Sequence, residues 1–168
     1  GKPAAATHDP DGTSHFKGHQ AISAAISKKI MHRLKQARVL EEAVYTLVKY
    51  HDERIGPDNL KRWLNSLGPE MGLKLLKLQY ADTLSHAPTV AAEAHKTARL
   101  YQDAQALIAS GSCLFMRDLA IDGRDLLALG CPEGPRIGKI LSRLLDQVLS
   151  GKLKNDREEL LLAAKAMM

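Results

Sequence analysis

Aromatic side chains are nearly missing from this 168-residue chain, where one Trp, two Phe and four Tyr amount to 4%. Cysteine is almost as scarce: Cys113 and Cys131 stand alone, too few for a disulfide framework or a cysteine-only metal cluster, which points to a reducing, cytoplasmic setting. No apolar run approaches the roughly 20 residues a membrane crossing needs, and the N-terminus lacks the basic-then-apolar order of a signal peptide. Twelve Gly and seven Pro, beside 45% hydrophobic and 26% charged residues, leave little room for a disordered, collagenous or low-complexity chain. Also absent are a Gly-rich phosphate loop followed by Lys-Ser or Lys-Thr, a serine elbow and a Cys-x-x-Cys pair. Lys and Arg total 24 against 19 Asp and Glu, a net charge of +5 with no basic block, which permits a polyanionic partner without requiring one.

What is present is Ala and Leu, with apolar positions recurring every three or four residues rather than every two. This predicts helices throughout and no strand. A first helix over about Gly18 to Gln36 places Ile22, Ile26, Ile30 and Leu34 on one face, with Lys28, Lys29, Arg33 and Lys35 largely off it. A second runs from about Val39 to His51. A short third, capped by Asp58, carries Leu60, Trp63, Leu64 and Leu67, with Trp63 assigned to the core. A fourth is expected from Glu70 to His86 and a fifth from Thr89 to Ser110. After an acidic turn at Asp122 and Gly123, Pro135 suits the first turn of a helix that buries Ile137, Ile140, Leu141, Leu144, Leu145 and Val148. A last helix starts near Asp156, where Glu158 and Glu159 complement the N-terminal dipole.

Two groups of residues are candidates for chemistry. Imidazoles and carboxylates can share a divalent ion, and helical packing can bring His19, His51 and Asp82 to one site, with His15 close by in sequence. Asp82 interrupts the run Leu75, Leu76, Leu78, and a carboxylate buried there would need a cation or donors. By spacing alone, capping, surface or singly hydrogen-bonded roles are the favoured reading of these residues, and His32, His86 and His95 read as ordinary surface or partly buried residues. In the C-terminal region Arg124, Arg136, Lys139, Arg143, Lys152 and Lys154 flank a helix start whose backbone N–H groups, Gly134 to Ile137, could accept a phosphate. A plain Gly-Pro helix start is the favoured reading of that turn.

Two long stretches add a resemblance. GKPAAATHDPDGTSHFKGHQAISAAISKKIMHRLK, followed by YTLVKYHDERI and KRWLNSLG, resembles the HD-type metal-dependent phosphohydrolase region of many bacterial CCA-adding tRNA nucleotidyltransferases. LAIDGRDLLALGCPEGPRIGKILSRLLDQVLSGKLKNDREELL is similar to the closing segment of the same enzymes. The resemblance implies an all-α fold, with residues 1–110 a truncated HD-type helical domain and 111–168 a C-terminal helical tRNA-binding segment. It puts His19, His51 and Asp82 at metal-ligand positions. The family's HD pair lies in His-Asp-Ile-Gly-Lys-Pro, and this chain begins at Gly1-Lys2-Pro3, so the metal site is expected to be vestigial. The expectation is therefore a non-catalytic C-terminal fragment that needs no cofactor itself, whereas its parent enzyme uses a divalent metal. Its implied partners are the tRNA acceptor and TΨC arms, the missing nucleotidyltransferase head and a possible second copy, with no membrane. Arg136, Lys139, Arg143 and Lys152 are the implied phosphate contacts. The alternatives are an HD-type phosphohydrolase acting on cyclic phosphates or nucleotides, and a structural or dimerisation module.

Overall fold

The computed structural model describes residues 1–12, 14–85 and 91–168. Among them run eight α-helices: α1 (His19–Arg33), α2 (Arg38–Tyr50), α3 (Leu60–Leu67), α4 (Pro69–Ser85), α5 (Ala91–Ala109), α6 (Gly123–Ala128), α7 (Pro135–Leu149) and α8 (Arg157–Lys165). Short 3₁₀ turns stand at Lys2–Ala5 and Met116–Asp118. The fold is all-α apart from one small correction. Thr7–His8 (β1) pairs antiparallel with Ser14–His15 (β2), Thr7 opposite His15 and His8 opposite Ser14. Gly12, at φ +86°, supplies the left-handed residue that reverses the chain there. Two-residue strands are too short to leave an alternating pattern in the sequence. The expected ends of the fourth and fifth helices, at His86 and Thr89, lie outside the described residues.

By their contacts, residues form two compact units: Gly1–Arg54 with Glu70–Tyr101, and Ile55–Pro69 with Gln102–Met168. Residues 55–69 and 102–110 thus fold with the C-terminal segment, whereas the resemblance divides the chain at 110/111. A packing boundary follows which apolar faces meet, and it need not coincide with a boundary of ancestry.

In the first unit α1 and α2 form a tightly packed helical hairpin, and Ala24, Leu75 and Leu76 are fully buried. The stripe on α1 is less buried than its periodicity suggests: Ile26, Ile30 and Leu34 remain exposed. Gln79 on α4 donates to the Glu53 carbonyl at 2.8 Å, tying α4 to the end of the hairpin.

The second unit is built on a core with Leu126, Leu144 and Leu160 fully buried from α6, α7 and α8. Burying each such leucine contributes roughly 1.5–3 kcal/mol. Ile140, Leu141 and Val148 are buried as expected, whereas Ile137 and Leu145 are only partly covered. Trp63 is half-buried rather than core, and Leu60 and Leu64 hold the interior of α3 instead. Asp58 does not cap α3. Asn59 occupies the N-cap and turns its side-chain oxygen back to the Gly56 N–H at 2.8 Å. Asp122 and Asp156 do cap, each accepting from two backbone N–H groups at the start of α6 and α8. Arg62 on α3 reaches Asp146 on α7 at 2.8 Å, and Arg157 on α8 reaches Asp125 on α6 at 2.6 Å.

Candidate functional site

The first unit brings two of the three predicted metal-site residues together, with their rings edge-on at 77°. His19 opens α1 and is buried, and His51 caps the end of α2, so the α1–α2 packing brings their Nε2 atoms to 3.4 Å. Each ring is fixed from behind: His19 Nδ1 donates to the Phe16 carbonyl at 2.8 Å and His51 Nδ1 to the Val48 carbonyl at 2.7 Å. A carbonyl can only accept, so both Nδ1 atoms carry protons, and the two Nε2 atoms are left facing the shared space, where they can share a proton or a cation. Histidine ligands of metals have this same arrangement, with the far nitrogen donating to a carbonyl. The 3.4 Å spacing also suits neighbouring corners of a tetrahedron with bonds of roughly 2.0–2.1 Å. The pair therefore fits a divalent transition metal as two of its ligands.

Asp82 on α4 lines the same pocket, of about 500 Å³, together with Lys2, Gln20 and Asp52. It is half-exposed rather than buried, so water solvates its carboxylate and the argument that it needs a cation does not apply. Among the described residues no three His, Cys, Asp or Glu side chains converge to hold one ion. The structure thus brings His19 and His51 together and leaves Asp82 in their pocket without closing a three-donor group. His15 also lines this pocket and pairs with Asp9 at 2.6 Å, and Gln20 holds Asp52 at 2.8 Å. Gly1 lies so close to α1 that a β-carbon on it would collide with Ser23 Oγ and the His19 carbonyl, and this seat sets Lys2 at the pocket. His32 and His95 are exposed, and His86 lies outside the described residues.

In the second unit Arg136, Lys139 and Arg143 recur at spacings of three and four on α7, which puts them on one side of that helix. All three are exposed, and Ile140, Leu144 and Val148 anchor the helix from the buried side. Lys152 is exposed just beyond the C-terminal end, where Gly151 at φ +72° turns the chain. Among the described residues these four cations form no ion pair, whereas Arg124 is tied to Asp122 at 3.1 Å. The helix start offers fewer anion donors than the sequence suggested. Pro135 has no N–H, and the Ile137 N–H is spent on the Gly134 carbonyl at 3.2 Å. Side-chain charge, rather than backbone N–H groups, is what α7 presents.

Sequence reasoning passed over the α1–α2 hairpin, where charge and aromatic rings are interleaved. Lys28 Nζ lies 5.5 Å from the centre of the Tyr45 ring, and Lys49 Nζ lies 5.9 Å from Tyr45 and 4.9 Å from Tyr50. Contact with Tyr50, then the neighbouring Tyr45, holds the Lys49 ammonium above its ordinary pKa. The signal was present as Arg38, Glu42, Tyr45 and Lys49, spaced by four, three and four.

The family described as tRNA nucleotidyltransferase domain 2 matches residues 19–164. A CCA-adding enzyme of Lactobacillus gasseri is 31% identical over 133 residues, which cover 66% of this chain and 31% of that enzyme. An A-adding tRNA nucleotidyltransferase of Deinococcus radiodurans is 27% identical over 161 residues, 94% of this chain and 37% of the relative. A CCA-adding enzyme of Levilactobacillus brevis is 47% identical over a shorter stretch of 45 residues, 27% of this chain and 11% of that enzyme. The chain spans about a third of the length of the two relatives with the longer matches. No solved structure matches it.

Proposed function

Because the chain belongs to the tRNA nucleotidyltransferase domain 2 family, we propose that it is a tRNA-engaging helical part of such an enzyme. In this reading it holds the acceptor and TΨC arms while another part of the enzyme adds CMP or AMP to the 3′ end. The observation that carries it is the α7 stripe of Arg136, Lys139 and Arg143, exposed and unpaired among the described residues, on a helix anchored by a leucine core. Cations on a rigid scaffold fit A-form phosphates, which carry shape rather than base sequence. Lys152 extends the charge past the end of α7. The test is equilibrium binding to a tRNA transcript and to a DNA duplex of similar charge over a range of salt. Preferred, salt-sensitive tRNA binding that weakens in R136Q/K139Q/R143Q supports the reading. Equal binding to both nucleic acids, or no loss in the triple variant, overturns it.

A second reading, an HD-type metal-dependent phosphohydrolase, is favoured by the His19–His51 pair alone. A divalent ion held there would supply a Lewis acid and an activated water. Zinc-dependent hydrolysis of a cyclic nucleotide, lost in His51→Ala, would support it; a zinc-loaded chain without hydrolysis would overturn it.

A further inference from the structure

We infer that the side of the α1–α2 hairpin bearing Lys28, Lys35, Arg38, Tyr45 and Lys49 is a second RNA-contacting surface, separate from α7. It rests on the tRNA reading above and adds a place where the RNA backbone is gripped.

The charge is local and one-signed. Residues 28–40 contain Lys28, Lys29, Arg33, Lys35 and Arg38 and no Asp or Glu. They surround the turn between α1 and α2, which Lys35 closes at φ +53°, an uncommon conformation for a residue other than glycine. Its N–H donates to the His32 carbonyl at 2.9 Å, so the turn is held and the charges around it are presented on a defined loop.

The rings lie beside the charges. On α2 the stripe Arg38, Glu42, Tyr45, Lys49 follows helical spacing, and Lys28 from α1 meets it, 3.4 Å from Glu42 and 5.5 Å from the Tyr45 ring centre. Cations next to partly exposed aromatic faces are what a sugar-phosphate chain requires: charge for the phosphates, a flat apolar ring for a ribose or base. Glu42 is the one carboxylate in the stripe, and Lys28 neutralises it.

A lipid surface would ask for something else, cations flanking an aliphatic face that enters the bilayer. Here the exposed aliphatic residues of α1, Ile26, Ile30 and Leu34, lie about half a turn around the helix from Lys28. Lys29 and Arg33 stand beside that aliphatic stripe, whereas Lys28, Arg38 and Lys49 stand with the Tyr45 ring, and it is this ring-bearing side that fits RNA.

The test compares the whole 168-residue chain with K28Q/K35Q/R38Q, E42Q and Y45L, using R136Q/K139Q/R143Q as the reference, in tRNA binding titrations at several salt concentrations. The hairpin triple variant should bind about tenfold more weakly at low salt, with the salt slope reduced by roughly two. Y45L should weaken binding by roughly tenfold at an unchanged slope. E42Q should bind more tightly than the parent chain, a gain that misfolding does not produce. If the hairpin variants and E42Q all match the parent while the α7 variant loses affinity, the inference fails and the tRNA reading stands. Failure of the parent chain to bind tRNA overturns both. Binding to phosphatidylserine vesicles that responds to these hairpin changes, without tRNA binding, would reassign the surface to a membrane.

Discussion

His19 Nε2 and His51 Nε2 face each other at 3.4 Å, and each ring is held from behind by a backbone carbonyl of its own neighbourhood. With both Nδ1 protons committed, the gap between the rings is a place for one proton or one metal ion. Titration with Co²⁺ or Zn²⁺ should give one weak site per chain, competed by a chelator and lost in both His19→Ala and His51→Ala. Asp82→Asn should change the affinity less than either, since Asp82 completes no three-donor group. Binding unaffected by His51→Ala would show that the pair is not the site.

Asp122 and Asp125 make the second unit sensitive to acid. Backbone N–H donation from Arg124 is the chief cause that holds Asp122 below the usual carboxylate range, and the Arg157 guanidinium does the same for Asp125. Folded-state pKa values below the unfolded ones mean that these carboxylates stabilise the fold above the ordinary value of about 3.9, and that this contribution disappears as pH falls through the lower folded-state values. Their contribution should therefore be constant from neutral pH to about 5 and be lost below about 4, seen as an acid drop in thermal melts. Asp125→Asn should melt lower at neutral pH and show a shallower acid drop. An identical acid limb in that variant would refute the assignment.

Cys113 is buried, and burial, then the nearby Asp118 carboxylate, pushes its thiol pKa up. The thiolate is the reactive form, so Cys113 should resist alkylation in the native chain at pH 7–8 and react once denaturant is added. Counting labelled cysteines by mass spectrometry with and without denaturant checks this. Rapid native labelling of Cys113 would contradict the packing described.

Asn155 serves as a clasp between distant backbone segments. Its amide donates to the Asp118 carbonyl at 2.8 Å and accepts from the Ala120 N–H at 2.9 Å. Asn155→Ala removes both bonds and should cost about 1–2 kcal/mol in chemical denaturation. Asn155→Asp keeps the acceptor and should cost less. Equal losses for the two variants would mean that the donor bond carries the whole effect.

Much of α7 was legible before any coordinates. Pro135 at the helix start and Ile140, Leu144 and Val148 at helical spacing state both its beginning and its buried face, and Arg136, Lys139 and Arg143 state the other. The start of α8 was legible for the same reason, with Asp156 as its cap. The start of α3 was not: Asn59 rather than Asp58 stands at the N-cap position, and its side-chain oxygen accepts from the Gly56 N–H instead of capping the helix. The β1–β2 pair escaped because two residues cannot display a period.

The candidate sites divide along the same line. His19 and His51 were nameable as types suited to a metal, and a family resemblance joined them, but their meeting spans 32 positions of sequence and depends on how α1 packs on α2. Asp82 was drawn into the same group by its apolar neighbours in sequence, whereas its place on α4 leaves it half-exposed.

The amino-acid sequence by itself determined that the chain is helical, where most helices begin and end, its family, and which side of α7 carries charge. Tertiary structure alone decided that His19 reaches His51, that Arg62 reaches Asp146 across 84 positions, and that Ile26 and Ile30 stay exposed. The physical reason is range. Helix hydrogen bonds and side-chain spacing link residues a few positions apart, so local order is written locally. Which distant faces meet depends on packing many side chains at once, and no short stretch of sequence contains that.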